Sequence, residues 1–193
     1  LFSNSRLMDL ATPDDDYRND SIIETQRVVD ITRSLKKFFP KTKKPLIVAN
    51  IGGFSMDKNI PSEEIESYYE RFAESMSKID FKGVELIPQN MAPFPWHFGG
   101  QRYQNMLISA EEIVKCCKKL NLRICFDISH CMLACNHFGY DLYDFSEKVA
   151  PYTAHIHIGD ASGVNGEGLQ IGHGEIDFNR LGKILTTKCP NTS

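Results

Sequence analysis

The sequence predicts an α/β fold in which parallel strands alternate with helices, as in a (β/α) TIM barrel. Apolar runs typical of buried strands begin near residues 45, 82, 122 and 154, at intervals of about 37, 40 and 32 residues, and a helical pattern follows each one. Periodicity alone fits an open sheet equally well. Polar residues directly after several of these runs favour a barrel, because a barrel gathers its strand ends around one site.

Length, charge and cysteine content restrict the class of protein. The 193 residues are expected to form one domain, residues 1–193. A formal net charge of −3 gives no general attraction to DNA or RNA, so no nucleic-acid partner is expected. No apolar run approaches the roughly 18 residues of a membrane span. The six cysteines include no Cys-x-x-Cys pair, which predicts a reducing, cytoplasmic location.

Local signals in the first half of the chain predict two helices and two strands after a strand end at residues 1–10. Ser21-Ile-Ile-Glu24 is a capping box, so a helix is expected over residues 21–39. Four apolar residues followed by two glycines predict a strand over 46–49. Pro61 suits the start of a helix whose apolar face continues to residue 79, and the strand 83–87 follows.

The second half of the chain continues this alternation after a long loop at residues 88–108. Loops of this length in compact domains tend to be functional. Ser109-Ala-Glu-Glu112 is a second capping box, and its helix leads to a strand over 122–126. The remaining predicted elements are a helical stretch interrupted near Gly139, a strand over 154–158, a glycine-rich loop over 163–174 and a helix capped by Asp177. Cys131 and Cys135 would share a helical face, which leaves a metal or redox role open.

Two of these strands end in residues that can bind a metal. Asp127 and His130 follow the strand at 122–126, and His155, His157 and Asp160 accompany the strand at 154–158. Alternation along a strand puts both histidines on the same side. Carboxylate and imidazole groups at the carboxyl ends of neighbouring parallel strands suit a divalent-metal site. The alternatives are that Asp127 only caps a helix and that His157 is a satisfied core histidine.

These motifs, together with Gly172-His-Gly-Glu-Ile-Asp-Phe178, resemble the xylose isomerase-like TIM-barrel superfamily. That group includes sugar and sugar-phosphate isomerases and epimerases, inosose dehydratases and endonuclease IV proteins. On its pattern the chain would run from about strand 3 to helix 7. The resemblance therefore implies an incomplete barrel, truncated at both ends, without the eighth strand and its catalytic glutamate. Exposed strand edges in such a barrel favour a homo-oligomer.

The resemblance implies one divalent ion (Mn²⁺, Mg²⁺, Co²⁺ or Zn²⁺) held by Gln89, Asp127 and His157. Gln89 stands where the family has a glutamate, and an amide can coordinate a cation but cannot act as a base. His130 would orient a substrate oxygen, and Asp160 would orient His157 or bind substrate. His155, one pleat deeper, would support the metal ligands from behind or be structural.

Four further residues are candidate substrate contacts: Trp96, His97, Arg102 and His173. Trp96 and His97 would cover a polyol, although Trp96 could instead anchor its loop, and Arg102 would clamp a phosphate or carboxylate. The implied function is a metal-dependent isomerase or epimerase of a sugar or sugar phosphate that is a ketose, polyol or related keto acid. The alternatives are a dehydratase-like lyase, an endonuclease IV-like hydrolase and a sugar-binding barrel without turnover. The endonuclease has less support, because its fourth-strand histidine falls near Asn50.

Overall fold

Pairs of parallel strands lie in each of the two compact units into which this computed structural model divides. The structure describes residues 2–3, 6–97 and 100–189. The first unit holds the described residues up to Gly53 together with Pro61–Pro88. The second holds Phe54–Ile60 and the described residues from Gln89 onward. That residues 1–193 form one domain remains a prediction.

The described elements alternate between strands and helices along most of the chain. The strands are β1 (Phe2–Ser3), β2 (Arg6–Leu7), β3 (Leu46–Ala49), β4 (Phe54–Ser55), β5 (Glu85–Pro88), β6 (Trp96–His97), β7 (Gly100–Gln101), β8 (Tyr103–Gln104), β9 (Ile124–Asp127), β10 (Thr153–His157), β11 (Asp160–Ser162) and β12 (Gly166–Leu169). The α-helices are α1 (Asp15–Leu35), α2 (Ile65–Ser77), α3 (Ala110–Leu120), α4 (Ile128–Phe138), α5 (Leu142–Val149) and α6 (Phe178–Lys188). Short 3-10 helices lie at Lys36–Phe38, Ser62–Glu64 and Ala150–Tyr152. Among these described helices, none has the length and apolar character that crossing a membrane requires.

In the first unit, β3 and β5 form the parallel pair that the sequence predicts at 46–49 and 83–87. Leu46 lies opposite Glu85, and Ala49 lies opposite Pro88. Helix α2 buries Phe72 completely, as its predicted apolar stripe requires.

Helix α1 begins at Asp15, so the predicted start at Ser21 is wrong. Asp14 is the N-cap, and its Oδ1 accepts a hydrogen bond from the main-chain N of Tyr17 at 3.0 Å. Ser21 is buried inside the helix and donates from its hydroxyl to the Tyr17 carbonyl oxygen at 2.9 Å. An aspartate cap followed by acidic residues in the first turn is the stronger N-terminal signal. In the predicted strand end at 1–10, β1 and β2 pair antiparallel, and residues 1, 4 and 5 lie outside the described residues.

In the second unit, β9 is the central strand of the site. It pairs in parallel with β10, and Gln89 forms a parallel bridge to Cys125 of β9. All four residues of β9 are buried, and the Phe126 ring stacks on Phe145 of α5 with centroids 6.2 Å apart. The carboxyl ends of adjacent parallel strands meet at one edge of a sheet. This strand order therefore places Gln89 and the polar residues at the ends of β9 and β10 side by side.

The loops of the second unit are more ordered than the sequence predicts. The long loop at 88–108 contains the antiparallel pair of β6 and β7 and also β8, which pairs with β4. Its residues 98 and 99 lie outside the described residues. The glycine-rich stretch at 163–174 contains β12, which forms an antiparallel pair with β11. The capping box at Ser109 and the helix interruption at Gly139, a left-handed residue with φ of 74°, are confirmed.

Candidate metal and substrate site

Asp127 lies where β9 ends and α4 begins, and its two carboxylate oxygens have different partners. Oδ1 caps α4 by accepting hydrogen bonds from the His130 main-chain N at 3.0 Å and the Ser129 hydroxyl at 2.8 Å. Oδ2 accepts from Gln89 Nε2 at 2.8 Å and lies 3.4 Å from His157 Nδ1. The helix-cap interpretation of Asp127 is therefore correct for one oxygen, and the other oxygen faces the predicted metal residues.

Strand register brings the three predicted metal residues together. His157 is the register partner of Asp127 in the parallel pair of β9 and β10. Asn90, directly after Gln89, holds the main chain of Asp127 from the other side. Its Nδ2 donates to the Asp127 carbonyl oxygen at 2.9 Å, and its Oδ1 accepts from the Asp127 main-chain N at 2.7 Å. The backbone that carries the carboxylate is thus fixed by a neighbouring side chain.

The donor groups of this cluster are one carboxylate, one imidazole and one amide. Within the described part of the chain, no three His, Cys, Asp or Glu side chains form a group that could hold a metal ion. The Gln89 amide can rotate to present its oxygen instead of its N–H. Asp127, His157 and that oxygen would then make a mixed nitrogen and oxygen set that does not choose among Mn²⁺, Mg²⁺, Co²⁺ and Zn²⁺. The metal ion remains a prediction.

His130 is buried next to Asp127, and its two ring nitrogens face different groups. Nδ1 lies 2.9 Å from the main-chain oxygen of Asn90. Since a carbonyl oxygen only accepts, Nδ1 carries a proton. Nε2 lies 3.0 Å from Glu167 Oε1. Burial lowers the pKa of His130, but the hydrogen bond to Glu167 and the charges of Asp127 and Glu167 outweigh it, so the pKa lies above its ordinary value.

Glu167 is a site residue that the sequence analysis missed. It lies in β12 with its side chain 48% exposed, and the hydrogen bond from His130 holds its pKa below the ordinary value. Gly166 and Gly168 flank it. Gly168 has a φ of +66°, and a Cβ at Gly166 would lie 2.6 Å from the Ser162 carbonyl oxygen. A glutamate between two glycines that the backbone requires is the sequence signal that could have indicated a residue held in a fixed position.

Asp160, predicted to orient His157 or to bind substrate, contacts main-chain groups instead. Its Oδ2 accepts from the main-chain N of Gly172 at 2.8 Å and of Gly174 at 2.9 Å. Its Oδ1 accepts from the main-chain N of Ala161 at 2.9 Å and of Ile176 at 3.2 Å. Burial raises the pKa of this fully buried carboxyl, but these N–H donors outweigh it and lower the pKa. The prediction is corrected: Asp160 anchors the loop after β12.

The predicted contacts in the loop at 88–108 lie in different environments. The Trp96 side chain is 70% exposed. His97 is half-buried with its ring centroid 6.0 Å from that of Phe54, and its buried Nε2 has no hydrogen-bond partner among the described residues. Burial, followed by the charge of Arg102, lowers the pKa of His97. Arg102 is buried and donates from Nη1 to the Gln101 carbonyl oxygen at 3.2 Å.

Two further histidines have distinct positions around the loop and strand. His155 and His157 have ring centroids 5.2 Å apart at 88°, as expected of residues on one side of β10. His173 is exposed between the two glycines that bind Asp160. The structure therefore brings Gln89, Asp127, His130 and His157 together. Substrate contact stays a prediction for Trp96, His97, Arg102 and His173.

Comparisons with known proteins give this geometry a context. The model of the family described as "Xylose isomerase-like TIM barrel" matches residues 1–188. The crystal structure of a D-tagatose 3-epimerase-like protein is similar, with a TM-score of 0.70 and 21% identity, covering 97% of this chain and 64% of that chain. An L-ribulose 3-epimerase structure has a TM-score of 0.64 and 16% identity, covering 93% of this chain and 54% of that chain. The comparison with curated proteins found no match.

A D-psicose 3-epimerase from Clostridium cellulolyticum H10, solved with D-tagatose, has a TM-score of 0.64 and 20% identity. The match covers 96% of this chain and 58% of that chain. The chain thus spans between 54% and 64% of the length of these three structures. At such identities the similarity establishes the fold, and the activity of the relatives does not transfer with it.

Proposed function

Since the chain belongs to the xylose isomerase-like TIM-barrel family, as its motifs predict, we propose that it acts as a metal-dependent sugar isomerase or epimerase. The substrate would be a ketose, a polyol or a related keto acid. The observation that carries the proposal is the meeting of Gln89 and His157 at Asp127 Oδ2, at 2.8 and 3.4 Å. The names of the similar structures, which are sugar 3-epimerases, support a sugar as the substrate class.

Asp127 and His157 would hold the divalent ion, and the amide oxygen of Gln89 would be a neutral third ligand. When bound, such an ion polarises a carbonyl and an adjacent hydroxyl and makes the shared carbon–hydrogen bond more acidic. His130, fixed by Asn90 at Nδ1, would orient a substrate oxygen through its other ring nitrogen. Asn90 would keep the carboxylate of Asp127 in place through its two main-chain hydrogen bonds.

A second candidate function, sugar binding without turnover, is favoured by Gln89 itself. The family position carries a glutamate that can take a proton, and a glutamine amide cannot act as a base at any accessible pH. The Gln89→Glu variant separates the two functions. If the amide alone prevents turnover, the carboxylate should raise hydrogen exchange at the substrate carbon by about 100-fold, the scale of general base catalysis.

The experiment that tests the proposal is metal analysis combined with carbon–hydrogen exchange in D₂O over a panel of ketoses. About one divalent ion per chain is expected, and it should be lost in Asp127→Asn and in His157→Ala, because each removes one of few ligands. Asp177→Asn, a change at the exposed cap of α6, is the matched control that should keep the ion. Absence of an ion, with no thermal shift on adding Mn²⁺, Co²⁺ or Zn²⁺, would contradict the metal site. Sugar binding without exchange would support the second candidate.

A further inference from the structure

Glu167 reaches a buried site residue from the solvent side. Its side chain is 48% exposed, whereas the His130 side chain is 8% exposed, and their contact atoms are 3.0 Å apart. The residues are 37 positions apart in sequence, so only the hairpin of β11 and β12 brings them together. The site therefore contains a carboxylate beyond those of the predicted metal set.

The backbone around Glu167 is built to hold it in this position. Gly168 occupies the left-handed region that other residues rarely adopt. A side chain at Gly166 would collide with the main chain of Ser162. The loop that follows β12 is fixed in turn by its hydrogen bonds to Asp160. Both ends of the segment are thus determined, so the main chain that carries Glu167 is held beside His130.

Together, His130 Nε2 and Glu167 Oε1 present a hydrogen-bond donor beside an acceptor. His130 Nδ1 already donates to the Asn90 carbonyl, and the Nε2 contact with the carboxylate places a proton between the two atoms. A bound hydroxyl group can replace this direct contact by accepting a hydrogen bond from Nε2 and donating its own proton to the Glu167 carboxylate. A phosphate dianion in the same place can accept from Nε2 but cannot donate to the carboxylate, so it would leave two negatively charged groups in contact.

His97 is a second histidine of this unit with a buried ring nitrogen available to a polar ligand. Its buried Nε2 has no hydrogen-bond partner among the residues that the structure describes, and such orphaned groups in a native protein call for a partner.

We propose that Glu167 is a specificity-determining residue that selects a sugar hydroxyl beside His130 and disfavours a phosphorylated sugar. This inference rests on the proposed function, since it assumes that a sugar binds at His130. The hydroxyl accepts from His130 Nε2 and donates to the Glu167 carboxylate.

The test is titration calorimetry on the complete protein with D-tagatose and D-tagatose 6-phosphate as probes. The wild type is expected to bind the free sugar at least about tenfold more tightly than the phosphate, because the carboxylate repels the anion. Glu167→Gln keeps the size of the side chain and should lose about tenfold in affinity for D-tagatose together with the preference. Glu147→Gln removes the same charge from an exposed position of α5 and should change neither value.

Three results would overturn this inference: a preference that persists in Glu167→Gln, a wild type that prefers the phosphate, and a wild type that binds neither sugar. Hydrogen exchange on D-tagatose in D₂O measures the proposed function separately. If the wild type exchanges hydrogen on D-tagatose but Glu167→Gln keeps the preference for the free sugar, only the inference about Glu167 is contradicted. A preference that depends on Glu167 without exchange supports the inference and contradicts the epimerase. Equal melting temperatures of the variants show that the comparison is made between folded proteins.

Discussion

Two buried aspartates of the second unit, Asp127 and Asp160, have similar surroundings in the sequence and different roles in the structure. Both accompany strand ends near a histidine, and they are 7% and 0% exposed. Asp160 uses both oxygens to accept from main-chain N–H groups. Asp127 uses one oxygen for its helix cap and leaves the other facing side chains. A buried carboxylate is available for chemistry only where the local backbone does not consume both of its oxygens.

The largest loss of stability is expected on changing Asp160, because both of its carboxylate oxygens accept hydrogen bonds from the main chain. Asp160→Asn replaces one acceptor oxygen by an NH₂ group, so main-chain N–H groups of the loop after β12 lose their partner. The loss in the free energy of unfolding should be about 3 kcal/mol, since hydrogen bonds to a charged group contribute roughly 1.5–3 kcal/mol each. Urea denaturation measures it. Asp177→Asn is the control and should cost only a few tenths of a kcal/mol, about the difference between two good helix caps.

The pH dependence of this loss has a definite sign. The pKa of Asp160 is lowered from its ordinary value of 3.8, so the carboxylate stabilises the folded state at pH values above 3.8. That contribution disappears as the pH falls through the lower folded-state pKa. The difference between wild type and Asp160→Asn should therefore be constant near neutrality and shrink in acid. A difference that grows in acid would mean that the loop is held by something else.

Asp127→Asn, in contrast, should lower stability only slightly but should abolish binding of the metal ion. Asparagine caps helices almost as well as aspartate, so the free energy of unfolding should fall by at most about 1 kcal/mol. The divalent ion of the proposed site should be lost, because the charged ligand is gone. Denaturation without added metal and elemental analysis measure the two effects. A loss of stability as large as that of Asp160→Asn would show that Oδ2 of Asp127 is structural too.

The same contrast explains what sequence could predict. Asp127 and His157 follow from local rules, namely strand alternation and the position of polar residues after apolar runs. The roles of Asp160 and Glu167 depend on how residues 160–176 fold back, through partners up to 37 positions away, and no periodic pattern records such contacts. The start of α1 was mistaken for a local reason. Asp14 and Ser21 are both good caps, and the acidic residues that follow Asp14 decide in its favour.

The hairpin that carries Glu167 can be tested through its glycines. Gly168→Ala forces a residue with a Cβ into a left-handed conformation and should lower the free energy of unfolding by about 1 kcal/mol. Gly182 lies inside helix α6, and a Cβ added there would meet no described atom within 4 Å beyond the backbone of its own helix. Gly182→Ala should therefore stabilise the protein by up to about 1 kcal/mol. Thermal melts of the two variants measure this contrast, and equal effects of the same sign would contradict the hairpin geometry.

The smallest expected effect is the pH-dependent contribution of the Glu167 and His130 pair. The pKa of His130 is raised from 6.5, so its contribution to stability is complete below 6.5 and is lost as the pH rises through the raised value. The pKa of Glu167 is lowered from 4.5, so its contribution is present above 4.5 and is lost as the pH falls through the lowered value. The pair should therefore stabilise the protein most between these two limits.

Glu167→Gln should reduce the melting temperature most near pH 5.5. The loss in the free energy of unfolding should be less than about 1 kcal/mol, because the half-exposed carboxylate is screened by solvent. Melts in chelator across the pH range measure the difference from wild type, and Glu147→Gln provides the flat reference. A difference that does not vary with pH would mean that the carboxylate leaves His130 in solution. The Nε2 of His130 would then be open to substrate without Glu167, and the selection of a hydroxyl would have to come from His130 alone.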